Sequence, residues 1–329
     1  MAESRPELHR RHPELIATLP HLPLGAGPTP LTRLDGVGSR NRLWCKDDSG
    51  FGDGGWGGNK VRKLEWILPD VAGRGSRRIL TVGALGTNWG LATALYAREQ
   101  GVGTALALVD QPVDEHVRAQ LVRLRESGAT VHRTHTKART IAFAPWLFVR
   151  HGFPYYLPAG GSTPIGTLGY VEAALELAAQ VRRGEMPEPA AVVTAVGSGG
   201  TAAGLLLGLR LAGLRTRVVA VVVNDTLPLA ERDLIGLARG TERLLRSRGA
   251  RFGPLDLGSG SLIVTRRWLG RGYGHPTAEG FAAARVAVEA GLTLDPVYTA
   301  KAFAAALAFD AHPMFGDAPI VFVDTYGPR

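Results

Sequence analysis

The chain contains a single cysteine, Cys45, among 329 residues. That excludes an internal disulfide framework and any cysteine-rich zinc site, and no metal is expected. Cys45 stands in the apolar run Leu43-Trp44-Cys45, so a buried structural thiol is the favoured reading, with a catalytic cysteine the minor alternative. Long apolar runs are missing too, and none approaches the roughly 18 to 20 residues that span a bilayer. Met1 to Pro13 is charged and no apolar core follows it, which is not a signal-peptide pattern. The expectation is a cytoplasmic protein without a membrane partner. A continuous basic stripe is also absent. The net charge is +9, from 38 basic and 29 acidic residues, yet Arg77-Arg78, Arg182-Arg183 and Arg266-Arg267 are isolated pairs without interleaved aromatics. Nucleic acid is therefore not an expected partner, and an anionic cofactor and substrate account for the excess charge.

What remains is an ordinary globular composition, 45% hydrophobic and 20% charged, long enough for two lobes with their own cores. Only the polar, basic stretch around Arg5 to Arg11 reads as a loose tail. Short β-branched runs alternate with longer amphipathic ones. Expected strands are Arg42 to Lys46, Arg78 to Val82, Thr104 to Val109, Ala191 to Val196, Thr216 to Val223 and Pro319 to Val323. Expected helices include Asn88 to Gln100, Asp114 to Ser127, Gly166 to Val181, Thr201 to Leu211, Thr277 to Ala290 and Thr299 to Phe309. Such alternation with apolar strands indicates an α/β fold whose parallel sheets are covered on both faces. Asp114 and Glu115 suit a helix start, and Gly128 suits its left-handed end. Pro69 should kink or shorten the helix after Lys60 near Leu68.

Four motifs bear on chemistry. In Gly54-Gly55-Trp56-Gly57-Gly58-Asn59-Lys60-Val61-Arg62-Lys63-Leu64-Glu65 a glycine-dense loop enters a helix whose first turn is strongly basic. Cations there oppose the helix dipole and call for compensation, which a phosphate would provide; a flexible loop with solvated lysines is the plainer reading. A Walker-type loop is excluded, because Gly-Lys-[Ser/Thr] is absent. Second, the apolar run Val192 to Val196 ends in Gly197-Ser198-Gly199-Gly200-Thr201 and a helix begins at once. Glycines let backbone N–H groups approach an anion closely, and Ser198 and Thr201 add hydroxyls. The same stretch satisfies a loose dinucleotide pattern, Gly197-x-Gly199-x-x-Ala202, with Asp225 after the next strand, where a ribose-binding acid would lie; that alternative, a nicotinamide-dependent oxidoreductase, leaves the Lys60 loop without a role. Third, Thr87 or Asn88 in Gly86-Thr87-Asn88-Trp89 would cap a helix or offer donors to a substrate. Fourth, Tyr273 and Tyr298 stand in loops just before helices.

Together these stretches resemble the 1-aminocyclopropane-1-carboxylate deaminase and D-cysteine desulfhydrase family of tryptophan-synthase-β-like (fold type II) pyridoxal-phosphate enzymes. The similarity runs from about Pro28-Thr29-Pro30-Leu31 to Thr325, and is most specific at Gly57 to Glu65, Gly197 to Gly204 and Asp295-Pro296-Val297-Tyr298-Thr299. The resemblance implies that Lys60 is the Schiff-base lysine, that Lys63 assists at the phosphate, and that Gly197, Ser198, Gly199, Gly200 and Thr201 cradle it. It implies that Asn88 lies near the cofactor hydroxyl, that Thr87 handles substrate, and that Tyr273 and Tyr298 are active-site tyrosines. Thr299 falls near the pyridine nitrogen, and Thr325 on the C-terminal active-site strand. The implied cofactor is pyridoxal 5'-phosphate and the implied reaction is β-elimination with deamination of a small amino acid such as D-cysteine. Ring opening of an aminocyclopropane carboxylate, or a specialised elimination or replacement, is the alternative, and a homodimer is the implied assembly.

Departures cluster on the substrate side. Thr87 stands where relatives carry serine, Trp89 is bulkier than the usual His or Gln and is expected to narrow or cover the pocket, and Asp324-Thr325-Tyr326-Gly327 replaces His-Thr-Gly-Gly. The expected division is a large domain of residues 1–64 and 162–329 and a small domain of residues 65–161, with the cofactor in the cleft between them.

Overall fold

The computed structural model describes residues 5–258 and 260–327. Helix α1 (Glu7–Arg11) leads through β1 (Leu31–Arg33) and β2 (Leu43–Asp47) to the two-residue strand β3 (Gly57–Gly58) and helix α2 (Asn59–Gly73). An alternating stretch follows: β4 (Arg78–Ala84), α3 (Asn88–Glu99), β5 (Gly103–Val109), α4 (Glu115–Glu126), β6 (Thr130–His135), α5 (Lys137–Arg150) and β7 (Tyr155–Leu157). Next come α6 (Pro164–Arg182), β8 (Ala191–Val196), α7 (Gly200–Leu211), β9 (Arg217–Val222), α8 (Glu231–Ser247) and β10 (Leu262–Thr265). The chain closes with α9 (Ala278–Glu289), α10 (Thr299–Ala311), β11 (Ile320–Asp324) and β12 (Tyr326–Gly327).

Six strands form one sheet in the order β1-β2-β11-β8-β9-β10, and four form a second in the order β6-β5-β4-β7. Among the described residues of these two sheets, only β1 and β2 pair antiparallel. The central strands β8 and β11 are buried along their whole length, as expected of parallel strands covered on both faces. The six expected strands are all present, shifted at most by a residue or two at their ends. Strands β6, β7 and β10 lie beyond them, each at a sheet edge. Edge strands carry polar or short sequences, and Thr130-Val131-His132-Arg133-Thr134-His135 has little period-two contrast.

Two expectations are overturned. The stretch from Arg5 to Arg11 is not a loose tail. The Glu172 carboxylate accepts the N–H groups of Glu7 and Leu8 at 2.6 and 2.9 Å, closing the start of α1, while Leu8 and Leu15 insert into the main core. Nor does Pro69 stop α2, which runs on to Gly73. A proline removes the bond to the carbonyl four residues back, here that of Glu65. That carbonyl accepts the Leu22 N–H at 2.9 Å instead, and the Glu65 side chain accepts Leu24 N–H at 3.0 Å. The chain entering the fold thus replaces the bond that the proline deletes.

Beneath α2 lies a closed ionic cluster. Arg62 meets Asp48 through two bonds, Nε to Oδ2 at 2.9 Å and Nη2 to Oδ1 at 2.8 Å, and also reaches Glu176 at 3.3 Å. Lys46 pairs with Glu176 as well, and Tyr170 donates to Asp48 at 2.8 Å. Burial alone would push Glu176 up, but the Arg62 and Lys46 charges outweigh it and hold it at about 2. Two cations and two carboxylates leave the cluster neutral, so deleting one member strands an uncompensated buried charge. Arg62→Met should therefore destabilise the fold by about 3–5 kcal/mol, read as a lower urea midpoint at unchanged slope. A midpoint shift equivalent to under about 1 kcal/mol, the size of an exposed pair, would contradict the cluster's structural role.

Candidate active site

A cavity of about 520 Å³ opens between the two sheets, and its walls gather elements distant in sequence. The first is the N-terminus of α2. Its preceding strand β3 pairs with β12, Tyr326 opposite Gly58 and Gly327 opposite Gly57, which carries Thr325 to the same wall as Lys60. Gly58 has φ +83°, and a Cβ there would lie 2.4 Å from the Thr325 carbonyl oxygen. A Cβ at Gly54 would lie 2.8 Å from the Tyr96 ring. These glycines therefore serve close packing of the loop, and Trp56 is buried within it with its carbonyl accepting the Tyr96 hydroxyl at 2.6 Å.

The three cations of the first turn have separate fates. Arg62 points into the ionic cluster, so the protein's own carboxylates compensate it and no phosphate is needed there. Lys63 is buried and donates to the Gly160 carbonyl at 2.9 Å; burial, and then the Lys60 charge, hold its amine well below the ordinary lysine range. Lys60 lines the cavity. Burial lowers its amine to about 8, with the Asp295 charge opposing the shift.

The second wall is the turn after β8. Gly197, Ser198, Gly199, Thr201 and Ala202 line the cavity where α7 begins, and Gly199 takes φ +92° as the N-cap. A Cβ at Gly197 would approach Tyr298 to 2.9 Å. Gly200 does not line the cavity. Its N–H is spent on Ser162 Oγ at 3.0 Å, and Lys63 and Ser162 leave no room for a side chain there. Ser162 also donates to Ser198 Oγ at 2.8 Å, while Asn59 donates to Thr201 Oγ1 at 3.3 Å and Asn224 to the Gly197 carbonyl at 2.9 Å. The loop is thus fastened from three sides.

The small sheet supplies the facing wall. Thr87 caps α3, accepting Gly90 N–H at 3.0 Å, so its hydroxyl proton stays available to a ligand. Asn88 lines the cavity and accepts from Gln120 at 2.7 Å. Trp89 lines the cavity but is buried, with its indole N–H donated to Thr81 Oγ1 at 2.8 Å, and Gly161 makes space for the ring, since a Cβ there would lie 2.3 Å from it. On the opposite side Tyr273 and Tyr298 share a hydroxyl–hydroxyl bond of 2.7 Å. Burial raises both phenols, which therefore keep their protons at neutral pH.

Sequence reading missed several contributors. Asp295 accepts Val297 and Tyr298 N–H at 2.7 and 2.6 Å and donates its own N–H to Thr299 Oγ1 at 2.8 Å. It thereby builds the turn that presents Tyr298 and Thr299, both of which line the cavity. The signal was present in Asp295-Pro296, a common turn opening. Ser162 and Asn224 left no local signal, because their roles depend on tertiary proximity. Asp225, weighed as a ribose ligand, instead accepts Tyr273 N–H at 3.0 Å. Its carboxylate fixes a tyrosine loop in which Gly272 takes φ +115°.

The Lys60 shift has a direct test. In protein freed of ligand, acylation of Lys60 followed by peptide mass spectrometry should titrate with an apparent pKa of about 8. A rate still climbing at the ordinary lysine value of 10.5 would contradict the desolvated geometry.

Residues 22–325 match the family described as pyridoxal-phosphate dependent enzyme. A D-cysteine desulfhydrase of Serratia proteamaculans is 32% identical over 332 aligned positions, covering 95% of this chain and 95% of the relative. A solved ACC deaminase homologue superposes with a TM-score of 0.77 at 28% identity, over 98% of this chain and 95% of its own. A solved threonine deaminase shares the fold, with a TM-score of 0.65 at 21% identity over 98% and 96% of the two chains.

Proposed function

The chain belongs to the pyridoxal-phosphate-dependent enzyme family, and we propose that its reaction is β-elimination with deamination of a small amino acid, D-cysteine or a β-substituted relative giving pyruvate and ammonia. The observation that carries this reading is the Lys60 amine, lowered to about 8, in a cavity that also holds the N-terminus of α7. The residues present fit the cofactor. Gly197 and Gly199 leave their part of the wall free of side-chain bulk, and the N–H groups of a helix start favour a phosphate. Lys63, pressed against that turn, would add a proton and a charge. Asn88 would stand by the ring hydroxyl, Thr299 by the ring nitrogen, and Thr325 on the strand side.

When bound, pyridoxal phosphate supplies an aldehyde for amines and an electron-withdrawing ring that stabilises charge at the substrate α-carbon. The protein moves the protons. A lysine amine near 8 is part neutral at physiological pH, which suits a base that takes the α-proton. Thr87 would give its hydroxyl proton to the substrate carboxylate, and the Tyr273–Tyr298 pair would deliver a proton to the departing group. Thr299 carries a hydroxyl and no charge, which beside the ring nitrogen would leave that nitrogen largely unprotonated and would favour elimination over transamination. Opening of an aminocyclopropane carboxylate is the second reading, supported by the structural likeness to the ACC deaminase homologue.

The proposed domain division, residues 1–64 with 162–329 against 65–161, assigns the four-stranded sheet to the small domain, its boundary falling inside α2. Among the described residues no helix is long and apolar enough to cross a membrane. A cytoplasmic location is proposed from the substrate class, a small free amino acid. A homodimer is proposed from the family, and Phe143, Trp146 and Val149, exposed on α5, support a protein contact there.

The test is spectroscopic and kinetic. The wild-type protein should carry a visible absorption band that borohydride abolishes and Lys60→Ala lacks, and it should release pyruvate and ammonia from D-cysteine. Lys60→Ala should lower that turnover by about 10²–10⁴-fold. A colourless wild-type protein refutes the reading of Lys60. A coloured protein inert to D-cysteine, L-cysteine and 1-aminocyclopropane-1-carboxylate refutes the substrates alone.

A further inference from the structure

One corner of the cavity lies beyond the residues that serve the cofactor. It is formed where β6 gives way to α5, and its chemistry centres on His135. His135 has φ +67°, a left-handed conformation that costs a non-glycine residue on the order of 1–3 kcal/mol unless its surroundings enforce it. Here they do. The β5–β6 register shifts between Leu108 and Val109, so that Val109 stands opposite His135. Such irregularities next to a site re-aim a side chain. The His135 carbonyl then accepts Asp110 N–H at 2.9 Å, and its ring Nδ1 meets Asp110 Oδ2 at 3.0 Å.

That pairing fixes the ring chemistry. A carboxylate only accepts, so Nδ1–H donates to it, and Nε2 is the nitrogen left for a ligand, donating to an anion when it too carries a proton. The other oxygen of Asp110 accepts Arg133 Nε at 2.8 Å, so its charge is already matched. Lys137 follows as the first residue of α5, a helix without an acidic residue in its first turn, and it also lines the cavity. The count for this corner is one carboxylate, Asp110, against two cations, Arg133 and Lys137. Thr140, on the same wall, has its hydroxyl engaged by Thr134 Oγ1 at 2.6 Å.

We propose that His135, braced by Asp110, and Lys137 form a specificity lobe that binds an anionic group at the end of the substrate side chain. The inference rests on the amino-acid reading of the cavity and narrows it: the preferred substrate is an amino acid whose side chain ends in a carboxylate, sulfonate or phosphate. Neither residue serves the cofactor. Both act on substrate choice.

The experiment measures binding of isosteric pairs, aspartate against asparagine and glutamate against glutamine in both enantiomers, to the cofactor-loaded protein by calorimetry and absorption change. The acid of at least one pair should bind about tenfold more tightly than its amide, roughly the worth of one charge-assisted contact. His135→Asn, chosen because asparagine tolerates the left-handed region, and Lys137→Gln should each reduce that ratio, and the double variant should bring it to about one. The cofactor band reports that each variant is folded and loaded. Equal binding of acid and amide by the wild type, or a ratio that survives the double variant, overturns the lobe while leaving the amino-acid reading intact. Failure of every amino acid tested, cysteine included, to change the spectrum overturns that reading and the lobe with it.

Discussion

The site depends on how the first turn of α2 accommodates three cations at the positive end of a helix. Left in water they would be ordinary surface charges, but packing buries Arg62 and Lys63 and leaves Lys60 half-buried on the cavity wall. Arg62 is neutralised by Asp48 and Glu176, which anchors the helix from below and fixes the direction of its neighbours. Lys63 meets a carbonyl and a hydroxyl, those of Gly160 and Ser162, so burial drives its amine toward the neutral form. An arriving phosphate would reverse that and gain a charge-assisted contact. Lys60 is driven the same way, less far, because Asp295 opposes the shift. On the proposed reading, a single helix turn divides structural, anion-binding and chemical tasks by the company each side chain keeps.

Much of this was legible in the sequence because it is local. Buried parallel strands are apolar runs, and the turn from Gly197 to Thr201 follows such a run directly, so both the strand and its exit could be placed. The cation-rich motif pointed to Lys60, but composition could not say that Arg62 would meet Asp48 and not a ligand, since that pairing joins separate elements of the fold. Pro69 shows the same limit. Its effect on α2 was argued from the helix alone, whereas the freed Glu65 carbonyl is satisfied by Leu22. Trp89 was judged by its size, yet a distant pair, Thr81 and Gly161, decides where the ring goes.

The two glycine-rich stretches show why glycine count is a poor guide to anion binding. In the loop before Lys60 the glycines answer to protein: Gly54 to the Tyr96 ring and Gly58 to the Thr325 carbonyl. That packing lets β12 lie against β3 and brings Thr325 into the cavity. After β8 the glycines answer partly to protein, with Gly200 confined by Lys63 and Ser162, and partly to open space at the start of α7. Only the second stretch sets glycines, Gly197 and Gly199, on the cavity wall at a helix start, and that combination favours an anion.

The proposed substrate side of the cavity is built from the part of the chain whose pattern was hardest to read, and the two features share a cause. A strand inside a parallel sheet must be apolar on both faces, which makes it conspicuous but leaves its side chains no chemical freedom. An edge strand such as β6 carries polar residues without loss of core, so it can present His132, Arg133 and His135 on a surface that periodicity does not reveal. Its last residue can also leave the regular sheet geometry, as His135 does, since no further strand requires it to keep register. The residues proposed to face the cofactor sit at the ends of buried strands and at helix starts, where backbone geometry is tightly determined. Those proposed to select the substrate sit at the edge, where it is not, so a chain can keep the first set while changing the second.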